Sequence, residues 1–103
     1  MTDKELLELA DKAAGIEYNT KHDALGLALA GNIKSRLWNP LDDDGDALRL
    51  AVKLNIFVCV RKDGFINAGT DEIMFLYRFS DDPCADTRRA IVKVAAAIGK
   101  NVP

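Results

Sequence analysis

Three aspartates on alternate positions, Asp42, Asp44 and Asp46, come nearest to a site of chemistry in this chain, because the first ligands of a calcium-binding EF-hand loop share that spacing. The rest of such a loop is missing. Counted from Asp42, the sixth residue is Ala47 in place of the Gly that allows the sharp turn, and the twelfth is Lys53 in place of a bidentate Glu. Helix capping and dipole complementarity account for the same carboxylates more simply, so no metal ligand is assigned.

The other reactive side chains do not assemble either. His22 is the only histidine, and no Ser or Cys stands at a motif spacing from it. A thiol in the first turn of a helix can be reactive, but Asp81, Asp82 and Asp86 surround Cys84 with negative charge. Cys59 and Cys84 form no CxxC or Cys/His pattern, which argues for two free thiols and against a zinc site or a disulfide scaffold. The glycines make no GxGxxG or P-loop pattern, so no cofactor is expected. With no catalytic, cofactor-binding or metal residue to name, the chain reads as a protein that is not an enzyme. Four residues stand out as possible partner contacts. Trp38, beside Pro40, is of the type that anchors interfaces, although a single Trp is more often part of a core. Arg88, Arg89 and Lys93 form a basic face on the last helix that could meet phosphates, although such a face is more simply a solvated one.

The elements that must position these residues are legible along much of the chain. Thr2 and Glu5 have the spacing of a capping box, and Leu6, Leu9, Ala10 and Ala13 then repeat at helical intervals up to Gly15. In residues 16–37, Leu25, Leu27 and Leu29 alternate with Gly26, Ala28 and Ala30, which reads as extended structure; a short helix capped by Asp23 and ending at Gly31 is the alternative. Pro40 keeps Asn39 out of the helical region, and Asp42 then caps a second helix starting near Asp43. Its apolar residues, Ala47, Leu48, Leu50, Ala51, Val52 and Leu54, predict a well buried helix that leaves Asp46, Arg49 and Lys53 to water.

Residues 56–61 read as a strand, Lys62-Asp63-Gly64 as a turn, 65–68 as the partner strand and 72–79 as a longer strand. Ile56, Val58 and Val60 oppose Phe57 and Cys59, while Ile73, Phe75, Tyr77 and Phe79 oppose Met74 and Leu76, so both faces are apolar. A sheet with two apolar faces calls for helices on both sides. Asp82 with Pro83 opens the last helix, whose Thr87, Ile91, Val94, Ala95 and Ile98 form its inward face before Gly99 ends it.

A chain of 103 residues suits one domain, residues 1–103, and 49% hydrophobic with 29% charged residues is enough to fold and to stay soluble. Net charge is -2, from 14 basic and 16 acidic residues, which gives no long-range pull toward nucleic acid or anionic membrane. The longest apolar run, Ala24 to Ala30, is far short of the roughly 20 residues that span a bilayer, and the first residues lack the order of a signal peptide. Those features predict a cytoplasmic protein without membrane contact, and they leave its oligomeric state open.

The segments Trp38-Asn39-Pro40-Leu41, Asp43 to Leu54, Asp81-Asp82-Pro83 and Thr87-Arg88-Arg89-Ala90-Ile91-Val92 resemble the phage ABA sandwich domain family, a group of small phage and prophage proteins. Ala13-Ala14-Gly15-Ile16 and Ala95-Ala96-Ala97-Ile98-Gly99 fit the same pattern, so the resemblance touches most of the chain outside residues 17–37. The family often has Thr where this chain has Asp42, and either residue can cap a helix. The resemblance implies a three-layer α-β-α sandwich, in agreement with the α+β fold and two-faced antiparallel sheet read from the strands. It implies no activity and carries no site residues over. The expectation is therefore a small accessory protein of a phage or prophage, in the host cell cytoplasm, that binds a host or phage protein. Nucleic-acid association through the last helix is the alternative.

Overall fold

The computed structural model describes residues 1–15 and 38–102, so His22 and the stretch read as extended lie outside the described residues. Helix α1 spans Asp3–Ala14, α2 Asp44–Leu54 and α3 Pro83–Lys100; between α2 and α3 run strands β1 (Phe57–Val60), β2 (Phe65–Gly69) and β3 (Met74–Arg78). The strands form an antiparallel sheet in the order β1-β2-β3. The fold is thus α+β.

Local chemistry sets the helix ends. Thr2 Oγ1 accepts the N–H of Glu5 at 3.1 Å while Glu5 Oε1 accepts the N–H of Thr2 at 2.9 Å, which closes the expected capping box. Gly15 ends α1 at φ 75°, where any other residue would be strained. The cap of α2 is Asp43, one residue later than expected, and its side chain accepts the N–H of Asp46 at 2.8 Å. The reason lies in Asn39, whose carbonyl accepts the N–H groups of both Asp42 and Asp43 and so keeps Asp42 in the preceding turn. Asp82 caps α3 with Pro83 behind it, as expected.

Helix α3 is the spine of the domain. It packs along α1 and α2 and touches all three strands, and it buries Ala90, Ile91, Val92, Val94, Ala95 and Ala96. Gly99 does not end this helix but lies inside it. A Cβ there would stand 2.0 Å from the carbonyl oxygen of Leu9, so Gly99 lets the backbones of α1 and α3 approach closely. The core continues through Leu6, Ala10 and Ala14 of α1, Leu50 and Ala51 of α2, and Ile66 and Ala68 of β2.

Strand register divides the sheet into two faces. Val58, Ala68 and Phe75 form one row and Val60, Ile66 and Tyr77 the next, and these rows look toward the helices. On the far face, Phe57 pairs with Gly69 and Met74, Cys59 with Asn67 and Leu76, and Phe65 with Arg78. That face is apolar, as predicted, but it is not covered among the described residues: Phe57 is 43% exposed, Met74 66% and Leu76 56%. Helices on both sides of the sheet would have buried Phe57 as well as Val58. The alternation that places it away from Val58 was right, but the helices whose packing is described all sit on the Val58 side.

Candidate functional site

The segment that joins Trp38 to α2 is fastened by a set of hydrogen bonds. Asn39 Oδ1 accepts the N–H of Leu41 at 2.9 Å, an Asx turn that Pro40 favours, while Asn39 Nδ2 donates to Asp42 at 3.2 Å. The N–H of Asn39 donates to Asp46 Oδ2 at 2.9 Å, and Arg49 donates to Asp46 Oδ1 at 2.7 Å. Asp46 is therefore a buried acceptor inside the structure, not the water-facing residue that its place on the helix suggested. From α3, Arg88 Nε donates to the carbonyl of Leu41 at 2.8 Å and its Nη1 to Asp44 at 2.6 Å. This contact with Asp44 holds the Arg88 guanidinium in its charged form.

Each member of the acidic alternation thus has a protein partner: Asp42 has Asn39, Asp44 has Arg88, and Asp46 has Asn39 and Arg49. Among the described residues, no three His, Cys, Asp or Glu side chains are placed to hold a metal ion. Cys59 and Cys84 are free and exposed.

The four possible partner contacts do not form one surface. Trp38 is buried in the core. Arg88 is tied to the start of α2, and Arg89 Nη2 donates to Asp3 of α1 at 2.6 Å. Lys93 places its ammonium 5.2 Å from the centre of the Tyr77 ring, a cation–π contact. Arg89 and Lys93 border a shallow depression with Leu6, Phe75 and Tyr77, whereas Arg88 faces a different part of the molecule.

That different part is a surface the sequence did not reveal. Helix α2 was expected to be buried on most sides, yet Leu48 is 63% exposed and Val52 68%. They form one wall of an apolar groove of about 860 Å³. Val58 and Val60 of β1 line it too, and Cys84, Thr87 and Ile91 line it from α3. The hydrophobic pattern of α2 contained the signal in its excess, since a helix with one buried stripe needs fewer apolar residues than this one has.

Among the described residues no helix is long and apolar enough to cross a membrane. The chain matches no protein-family model, no curated protein and no solved structure.

Proposed function

We propose that this protein is a small, non-catalytic accessory protein of a phage or prophage, acting in the host cell cytoplasm by binding a short apolar segment of a host or phage protein. The observation that carries the binding reading is the groove between α2 and α3, where Leu48 and Val52 offer exposed apolar surface in a lining shared with Val58 and Val60. Contiguous exposed apolar surface is a common mark of protein interaction sites. The phage setting rests on the resemblance of the Trp38-to-Leu54 and Asp81-to-Val92 segments alone.

The alternative, nucleic-acid binding through Arg88, Arg89 and Lys93, has less behind it. Asp44 beside Arg88 and Asp3 beside Arg89 offset the charge that phosphates would seek. The three-layer sandwich also remains a proposal: the apolar residues Phe57, Met74 and Leu76 support a cover over the far face of the sheet, and a helical layer is one form of it.

Pull-down from phage-infected host lysate, with the wild type beside a Leu48→Asp, Val52→Asp variant, tests the groove. Both positions are exposed, so the variant should fold as the wild type does. A protein retained by the wild type and lost by the variant is the expected result. Equal retention would remove the groove from consideration, and DNA retained with a steep salt dependence would favour the alternative.

A further inference from the structure

We infer that the far face of the sheet is a self-association surface, on which a second copy of this chain packs its own far face with the strands running in the reverse direction. The middle of this face is apolar, with Cys59 and Leu76 flanking Asn67 and with Met74 and Phe57 toward one end. Its two ends differ in charge. At the β1–β2 turn, the guanidinium carbons of Arg61 and Arg78 lie 5.8 and 5.6 Å from the centre of the Phe65 ring, so both cations stand over the same end of the face. Asp63 offsets one of them through Arg61. The opposite end closes in the tight turn that carries Asp71 and Glu72, both exposed.

Charge complementarity selects the partner and the axis. A two-fold axis in the plane of contact and perpendicular to the strands lays the Arg61/Arg78 end of one copy over the Asp71/Glu72 end of the other. An axis along the strands would set like charges together. The first arrangement also returns the middle row onto itself, so Cys59, Asn67 and Leu76 each face their own counterparts. Asn67 Oδ1 is a buried oxygen without a hydrogen-bond partner among the described residues. A turn of its carboxamide toward the second copy would let the two amides pair across the axis, as a buried polar group requires. Sheets packed face to face stand about 10 Å apart, a spacing that the Leu76, Met74 and Phe57 side chains can fill. A face three strands wide is small beside the roughly 1,200–2,000 Å² that stable complexes bury in total, so the dimer should be reversible and dependent on concentration.

Sedimentation equilibrium of the whole chain over a range of concentrations tests this inference, with circular dichroism to check folding. The wild type should approach twice the monomer mass, and Leu76→Lys should remain monomeric where the wild type is dimeric. Added salt should weaken the dimer. Glu72→Lys and Arg78→Glu should each weaken it several-fold, and the two together should recover much of the loss. In a Cys84→Ser background a short bis-maleimide should join two Cys59 thiols. A wild type that stays monomeric, as it would if a helical layer of its own chain covered this face, overturns the inference. So does a dimer that survives Leu76→Lys, or one lost through Val52→Asp in the groove. A dimer strengthened by salt would overturn the reversed arrangement.

Discussion

Gly99 in α3 lies so close to Leu9 in α1 that a methyl group at position 99 would overlap the Leu9 carbonyl oxygen. Asp3 meets Arg89 one end of the pair earlier, so α1 and α3 run side by side in the same direction, with their backbones close at this glycine. The buried core holds Ala10 and Ala14 of α1 and Ala95 and Ala96 of α3. In an isolated helix alanine would be favoured over glycine by about 1 kcal/mol. Here the overlap is with backbone, which cannot swing aside, so the clash outweighs that preference. Gly99→Ala should destabilise the protein by about 1–3 kcal/mol, read as a lower urea midpoint with an unchanged slope. A rise in the midpoint would mean that the two helices are further apart than described.

Asp46 and Asp43 hold the start of α2 by different means, and the two should respond differently to substitution. Asp43 is a cap at the rim, and Asp43→Ala should cost about 0.5–2 kcal/mol. Asp46 is buried and accepts the Asn39 N–H, so Asp46→Ala strands a backbone donor and also releases Arg49. A buried donor left unmet costs about 1–3 kcal/mol by itself. Asp46→Ala should therefore be the more damaging of the two in parallel urea melts.

Calcium provides a separate check on the same aspartates. Asp42, Asp44 and Asp46 already hold Asn39, Arg88 and Arg49, and among the described residues no three acidic, His or Cys side chains are placed to hold a metal ion, so a cation would compete with those contacts without a ready set of ligands. Thermal melts in millimolar calcium and in chelator should coincide. A saturable rise in Tm that vanishes in Asp44→Ala would assign the segment a ligand.

Much of the fold was legible because its signals are local. The capping box of Thr2 and Glu5, the Asp82-Pro83 start of α3 and the alternation along β1 and β3 each depend on residues a few positions apart. What escaped depends on partners far along the chain. Asp46 resembles a solvated helix residue until the Asn39 N–H is placed against it, and Gly99 resembles a helix end until Leu9 arrives. The groove escaped for a related reason. The pattern of α2 shows that Leu48 and Val52 are apolar, but whether an apolar residue is covered is decided by packing, and the described elements leave both open.

Ile91 separates the core from the groove it borders. It is almost fully buried on α3 while lying next to Cys84 and Thr87, which edge the groove. Ile91→Ala should cost about 2–4 kcal/mol in a urea melt, as expected of a large side chain removed from a packed interior. A loss under about 0.5 kcal/mol would place it on the surface.

Asp11 sets the expected response to pH. The residue is 2% exposed, neither carboxyl oxygen has a hydrogen-bond partner among the described residues, and Glu8 stands one turn before it. Burial first, and then the Glu8 charge, pushes the Asp11 carboxyl up to about 8, so the folded protein carries it neutral at pH 7. In the unfolded chain the same group ionises near its ordinary value of about 4. Between these two values the folded state binds the proton and the unfolded state does not, so the contribution of Asp11 to stability is complete below about pH 4 and falls as pH rises toward 8. Each pH unit in that window corresponds to about 1.4 kcal/mol at most. Asp11→Asn keeps the shape and removes the titration. The variant should lose the decline in stability between pH 5 and pH 8 and be more stable than the wild type at the upper end, in urea melts taken across that range. Identical pH profiles for the two proteins would show that Asp11 is ionised in the folded state, with a partner or water at its carboxylate.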